Sequence, residues 1–330
     1  MMRAIKGTPK HLSATGELTS FTYLMINLPF KCNYRCSKCF NLKSDNQDTS
    51  ENEISLDERV RLIHEAKYLG GKAVVMAGEG EPAIHEDIYH LVSEISILGM
   101  IPIIYTNGST LTEKRVSFYK DNSTVLIIAF DSLNPELYGK MTGTEGMFER
   151  VVENIRRTIR SYKNMIYFQG STQILSIGIN ITASTRNEDE IERIKEFWSD
   201  DVYFICNPLA KLGNAVDNWN KLMKSEENPE KHRKLIERLS ESGGPLTLGN
   251  DGICGYSRWG ISISPSGDYM TCAYIRATDG LLGNIKNRSL REAFEYKHKI
   301  ESEHYKKHGV ANCLVRANSF NAYLKRLRLD

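Results

Sequence analysis

Three cysteines crowd into one short stretch, Lys31-Cys32-Asn33-Tyr34-Arg35-Cys36-Ser37-Lys38-Cys39-Phe40. A C-x3-C-x2-C spacing in a single loop lets Cys32, Cys36 and Cys39 converge on three corners of a cuboidal iron-sulfur cluster, because a short irregular segment can wrap one face of it. No fourth cysteine is near, so one iron would lack a protein ligand, and an open coordination position is what a reactive metal site requires. Zinc is the competing reading of three thiols. It needs a further close ligand, and no histidine lies between residues 14 and 63. Cys206, Cys254, Cys272 and Cys313 are scattered along the rest of the chain. Seven cysteines, with no apolar signal segment over Met1 to Thr15, are expected to be free thiols or metal ligands in a reducing, cytoplasmic compartment.

The cysteine loop follows the first of six short β-rich runs: Tyr23 to Leu28, Ala73 to Ala77, Ile101 to Tyr105, Val125 to Phe130, Ile174 to Ile181 and Val202 to Cys206. Helical patterns alternate with them over Leu56 to Tyr68, Ile88 to Leu98, Glu113 to Tyr119, Phe148 to Tyr162 and Glu188 to Phe197. Strand followed by helix, repeated, predicts a parallel α/β sheet, closed as a barrel or open. Ser55 before an apolar-periodic run and Gly70-Gly71 after it mark a helix start and stop. Asn134-Pro135 marks a turn into another helix. Residues 211 to 250 read as a polar connector with one helix, His232 to Leu239. Gly260 to Ser264 and Tyr269 to Ala273 read as a β-hairpin around Gly267, and Ser289 to Tyr296 as a helix whose Ser289 and Glu292 form a capping box.

The 330 residues are 41% apolar and 25% charged, ordinary globular usage, and exclude wholesale disorder, collagen and coiled coil. Forty-three Lys plus Arg against 41 Asp plus Glu leave +2, too little for extended nucleic-acid binding through phosphates. No apolar run approaches the roughly 20 residues of a membrane span.

With its cysteine loop followed by the aromatic Phe40, the sequence resembles the radical S-adenosylmethionine (SAM) enzymes. The resemblance implies a partial (β/α)6 TIM-like barrel over residues 21–210, after an extension of 1–20. Gly78-Glu79-Gly80-Glu81-Pro82, at the end of the second strand, is similar to the family's glycine-glycine-glutamate-proline segment that receives the methionine amino group, with Glu79 in place of the first glycine. Glycine permits close backbone approach to a ligand, and a carboxylate suits an ammonium. Asn107 closing the third strand, and Asp131 with Ser132 closing the fourth, are similar to cofactor- and substrate-lining positions. Asn180, Thr182 and Ser184 on the fifth strand are further candidates for ribose or carboxylate contacts.

The frame Ile263 to Cys272, with Gly283-Asn284-Ile285 and Ser289 to Glu292, resembles the auxiliary-cluster extension called SPASM, or twitch in its shortened form, here over 251–330 after the connector 211–250. Cys254, Cys272 and Cys313 match three of its four ligand positions; Arg316 stands where the fourth cysteine would be. The fourth ligand is left open among Cys206, Arg316, His304, His308, water and substrate. Cys206 itself has three readings: ligand, hydrogen-atom donor to a substrate radical, or small buried hydrophobe.

The resemblance implies a 4Fe-4S cluster that reductively cleaves SAM to a 5'-deoxyadenosyl radical, a probable second 4Fe-4S cluster, and an external electron donor such as flavodoxin or ferredoxin. The basic residues His304 to His308 and Lys325 to Arg328 are places where an acidic donor could dock. About 20 residues precede the first strand, so no separate leader-peptide domain is expected there. A small polar substrate of sugar or aminocyclitol type is expected, dehydrogenated or epimerised. Peptide modification and a non-catalytic iron-sulfur electron carrier are the alternatives.

Overall fold

Runs such as Ala-Val-Val-Met-Ala and Val-Leu-Ile-Ile-Ala are apolar on both alternating faces, which suits strands covered on both sides of a parallel sheet. The computed structural model describes residues 21–28, 31–40, 53–163, 165, 167–169, 172–198, 201–223, 259–272 and 282–308. Strands β1 (Tyr23–Asn27), β2 (Ala73–Ala77), β3 (Ile101–Thr106), β4 (Val125–Ala129), β7 (Ile177–Ala183) and β8 (Tyr203–Pro208) pair in parallel in that order. Helices α1 (Leu56–Tyr68), α2 (Ile88–Ile97), α3 (Glu113–Asp121), α4 (Pro135–Thr142), α5 (Phe148–Tyr162) and α6 (Ile191–Trp198) fill the crossovers. This is the expected partial barrel, with a sheet of eight strands that stays open between β8 at one edge and β10 (Tyr269–Met270) at the other.

The hairpin of β9 (Gly260–Ile263) and β10 does not stand apart from this sheet. β9 runs parallel to β1, with Met25 beside Ser262 and Ile26 beside Ile263, and Asn27 donates its side-chain amide to the Ile263 carbonyl at 2.9 Å. A second difference lies before β7. The strand expected from Ile174 begins at Ile177, and residues 167–169 (β5) and 172–174 (β6) form an antiparallel hairpin of their own. The polar connector starts with two short helices, α7 (Asn214–Asp217) and α8 (Trp219–Leu222). The helix expected to end near Tyr296 continues to His308 as α9 (Leu290–His308). The helix expected over 232–239, Cys254, Cys313 and Arg316 lie outside the described residues.

Alternation along each strand sorts side chains onto two faces. Facing the helices, Leu24, Ile26, Val74, Met76, Ile104, Ile128, Ile179 and Ile181 pack with Leu62, Leu91, Ile155, Ile194 and Trp198. Facing inward, Met25, Val75, Ile103 and Val125 fill one layer of the barrel, and Ala77, Tyr105, Ile127 and Tyr203 the next. Gly178 lies in that second layer, and a Cβ there would stand 2.5 Å from the Tyr203 ring, so the missing side chain lets the ring lie across β7. Above these layers, at the carboxyl ends of the strands, the inner face turns polar: Asn180, Thr182 and Asn207 replace aliphatic residues.

Helix starts follow their sequence signals. Ser55 and Glu58 form a capping box on α1, and Ser289 and Glu292 make the same reciprocal bonds at α9. Asn134 accepts from the backbone N–H groups of Glu136 and Leu137, with Pro135 in the first turn of α4.

Candidate functional site

The cysteine loop is pinned to the barrel mouth by five sets of contacts. Glu81 donates its N–H to the Lys31 carbonyl at 3.1 Å. Asn33 donates to the Ser109 hydroxyl at 2.8 Å and accepts from Asn107 at 2.9 Å, fastening the loop to the end of β3. The Lys38 ammonium is ion-paired with Asp131 at the end of β4 and reaches the Thr182 hydroxyl at 3.3 Å. Asn214 donates to the Cys36 carbonyl at 3.4 Å and Ala215 to that of Cys39 at 3.3 Å. The fifth contact is with the C-terminus of α4. Arg35 and Ser37 donate their N–H groups to the Thr142 and Met141 carbonyls at 3.2 and 3.1 Å, and the Ser37 hydroxyl donates to Lys140 at 3.1 Å.

That last contact explains a local rule of the sequence. The final carbonyls of a helix have no partner within it, and here the loop's backbone supplies them. Gly143 ends α4 in the left-handed region at φ +65°, and a Cβ on it would come within 2.3 Å of the Arg35 carbonyl oxygen. Only glycine gives both the turn and the close approach.

Cys32, Cys36 and Cys39 are half-buried and unbridged. The Tyr34 N–H points at the Cys32 sulfur at 3.4 Å. Burial pushes the Cys32 thiol up to about 11, and Cys36 further still, with the neighbouring thiolates adding to both shifts. Held there as thiolates, the three would repel one another and need a positively charged centre among them. Among the described residues, no three His, Cys, Asp or Glu side chains are arranged to hold a single metal ion. Three thiols of one loop within electrostatic reach of each other fit three corners of a larger cluster, and Phe40, half-buried, closes the loop.

Next to the loop, residues 78–82 fold tightly against the end of β1. A Cβ on Gly78 would sit 2.4 Å from the Gly80 carbonyl and 2.6 Å from that of Leu28. Glu79 and Gly80 are half-buried, and Pro82 opens a short 3-10 turn. The Glu81 carboxylate, a candidate for a ligand ammonium by residue type, already has partners within the protein. It is fully buried and accepts from the Thr106 hydroxyl at 2.6 Å, the Asn107 N–H at 2.7 Å and the Ala83 N–H at 3.1 Å, while burial raises its pKa. Glu81 ties the end of β2 to the end of β3, and Asn107 in turn braces the cysteine loop.

The remaining predicted residues divide between scaffold and rim. Asp131 accepts from Lys38 and, at 2.6 Å, from the Thr182 N–H. Ser132 donates to Glu190 at 2.8 Å, and Ser184 to Asn187 at 3.1 Å, both fully buried. Asn187 also donates to the Asp131 and Thr182 carbonyls at 2.8 and 3.0 Å. Asn180 alone of this set presents its amide to the mouth, half-buried and accepting from Asn207 at 3.3 Å.

Cys206 lies on the other face of β8. Its neighbours Ile205 and Asn207 point inward, whereas Cys206 shares the outer core with Ile194 and Trp198; burial raises its thiol to about 12, and its nearest charges include Lys195 and Glu192 of α6. This placement matches the small buried hydrophobe and not a thiol directed at the cavity. Cys272 is half-buried just after β10. Lys38, Asn33, Ser109 and Asn207 had not been singled out by spacing. A single cation between Cys36 and Cys39 was the one available signal.

The radical SAM superfamily model matches residues 26–197, which include the cysteine loop, residues 78–82 and the ends of β3, β4 and β7. The chain belongs to the radical SAM superfamily. It accordingly uses a 4Fe-4S cluster and S-adenosylmethionine. Curated radical SAM relatives include a probable GTP 3',8-cyclase of Thermococcus kodakarensis, 34% identical over 42% of this chain and 44% of that protein. The GTP 3',8-cyclase of Marinobacter nauticus is 28% identical over 68% of this chain and 66% of its own length. The molybdenum cofactor biosynthesis protein moc-5 of Caenorhabditis elegans is 35% identical over 80% of this chain and 43% of its own. The chain thus spans less than two thirds of each of these relatives. Among solved structures, Streptococcus suis SuiB bound to precursor peptide SuiA superposes with a TM-score of 0.61 at 17% identity, over 84% of this chain and 65% of that one. AdoMet-bound anSMEcpe gives 0.59 at 13% identity, over 93% and 92%. At such identities these two radical SAM structures show a shared fold. Among the described residues, no helix is long and apolar enough to cross a membrane.

Proposed function

We propose that this radical SAM enzyme directs a 5'-deoxyadenosyl radical at a C–H bond of a small polar molecule of sugar or aminocyclitol type and dehydrogenates it. The observation that carries the substrate class is the composition of the barrel mouth. Among the described residues the inner rim offers the Asn180–Asn207 amide pair, the Thr182 hydroxyl and an ammonium already paired with Asp131. Amides and hydroxyls recognise hydroxyl- and amine-bearing rings through directional hydrogen bonds. Dehydrogenation is preferred to epimerisation because the thiol that would return a hydrogen atom, Cys206, faces α6.

Bound in the loop, the cluster and SAM supply the radical chemistry. The chain's own residues do the rest. Cys32, Cys36 and Cys39 would hold the cluster, and the glycine-rich segment 78–82 would receive the methionine ammonium. Glu81 and Asn107 fix that segment against the loop, and the apolar layer of Ile103, Tyr105, Ile127 and Ile205 closes the barrel beneath the reacting centre against water. We assign Cys272, with Cys254 and Cys313, to a second cluster, which would accept the electron left on the substrate radical after hydrogen abstraction while the remaining proton passes to solvent.

A second reading, a nucleotide substrate, is favoured by the similarity to proteins named GTP 3',8-cyclase. The test is to incubate reconstituted, reduced enzyme with SAM and either a panel of deuterated sugars and aminocyclitols or deuterated GTP. Deuterium appearing in 5'-deoxyadenosine with a member of the panel is the expected result. Transfer from GTP alone would overturn the proposal in favour of the nucleotide.

A further inference from the structure

Three cations stand in the cysteine loop, and they differ in one respect. Lys31 and Arg35 are exposed, whereas the Lys38 side chain is 9% exposed and its partner Asp131 1%. Lys38 is next to Cys39 and two residues from Cys36, and the ion pair joins it to a residue 93 positions away. Asp131 is itself immobilised: its second carboxylate oxygen takes the Thr182 N–H at 2.6 Å and its carbonyl takes the Asn187 amide at 2.8 Å. The Lys38 ammonium, also 3.3 Å from the Thr182 hydroxyl, is a fixed, desolvated positive charge on the protein side of the cluster loop.

A 4Fe-4S cluster becomes more negative by one charge on reduction, and its potential responds to nearby charge, hydrogen bonding and solvent exposure. A cation held out of water acts through a lower effective dielectric than one in solvent, so Lys38 weighs more than Lys31 or Arg35, whose charges water screens. We propose that Lys38, oriented by Asp131 and Thr182, raises the reduction potential of the cluster held by Cys32, Cys36 and Cys39. Lys38 is then a positioning and tuning residue that touches no substrate. The reasoning rests on the cluster in that loop and is independent of the substrate reading.

The experiment is a redox titration of the purified, reconstituted enzyme without substrate. The reduced cluster, which takes one electron from a mediator, is counted by electron paramagnetic resonance, and iron and sulfide are measured in parallel. Lys38→Met keeps the length and removes the charge. The expected result is a fall of about tenfold or more in the ratio of reduced to oxidised cluster at fixed potential, equal to about 59 mV for a one-electron couple. Lys38→Arg should recover most of it. Because Lys38→Met leaves Asp131 unpaired and buried, the double variant Lys38→Met, Asp131→Asn is measured as well. It leaves no buried charge behind and should also titrate at lower potential than the wild type. Wild-type potentials in either iron-loaded variant overturn the proposal. So does loss of iron from both, which would make the pair a scaffold only.

Discussion

Gly143 is where the structure makes its most demanding prediction. Substitution by Ala forces a left-handed backbone on a residue with a Cβ, at roughly 1–2 kcal/mol. The new methyl would lie 2.3 Å from the Arg35 carbonyl oxygen, against a normal carbon–oxygen contact of about 3.3 Å, so the cysteine loop must retreat by about 1 Å. That retreat breaks the bonds from Arg35 to Thr142 and from Ser37 to Met141, each worth roughly 0.5–1.5 kcal/mol net. Together the cost is roughly 2–5 kcal/mol, which lowers the ratio of docked to undocked loop about thirtyfold at the smaller figure. The assay is iron and sulfide per chain after anaerobic reconstitution and desalting against a chelator, with far-ultraviolet circular dichroism to confirm that the barrel is folded. Gly143→Ala is expected to lose most of its iron with the barrel intact. Gly143→Asn separates the two causes, because Asn tolerates the left-handed conformation yet still carries a Cβ. If Gly143→Asn holds iron as well as the wild type, the clash with Arg35 is irrelevant and the docking argument fails.

Two more predictions follow from the same geometry. Cys206→Ser and Cys206→Ala should keep their iron and their substrate-dependent formation of 5'-deoxyadenosine and product, at a stability cost of about 1–2 kcal/mol for the outer core; abolished turnover with iron retained would show that the thiol reaches the reaction after all. The capping-box carboxylates Glu58 and Glu292 are held below 4.5 by the backbone N–H groups of Ser55 and Ser289, so they stabilise the fold above 4.5 and lose that contribution as pH falls through their lowered values. A Glu58→Gln, Glu292→Gln double variant should therefore be less stable than wild type near neutrality and converge on it as the pH falls below their lowered values, as followed by thermal unfolding across pH.

Much of this site was legible in the chain itself, and the reasons are physical. The C-x3-C-x2-C loop is a local pattern, and apolar runs bounded by caps and glycines locate strands without knowledge of their partners. What escaped was partner choice. Periodicity finds β9 and β10 but cannot say that β9 lies beside β1, because that depends on which edge is open once the barrel has formed. Glu81 suits an ammonium by residue type, and its bonds from Thr106 and Asn107 on the next strand, with the nearby Ala83 N–H, are not visible in the local sequence. For Cys206 the sequence left three readings open, and strand alternation favours the buried hydrophobe: Ile205 and Asn207 take the inward face, so the thiol between them does not. Lys38 carried a signal, a single cation between two cysteines, whose meaning depends on an aspartate on another strand.

The placement of β9 beside β1 has a consequence for synthesis. Asn27 and Ile263 are separated by 236 residues, so one flank of the first strand stays unpaired until nearly four fifths of the polypeptide has left the ribosome. At about 5–20 residues per second that delay is on the order of tens of seconds. Throughout it the nascent barrel presents an uncovered edge, a template for pairing with the wrong chain. The emergence of β9 thus closes an interval in which the nascent barrel is open to mispairing.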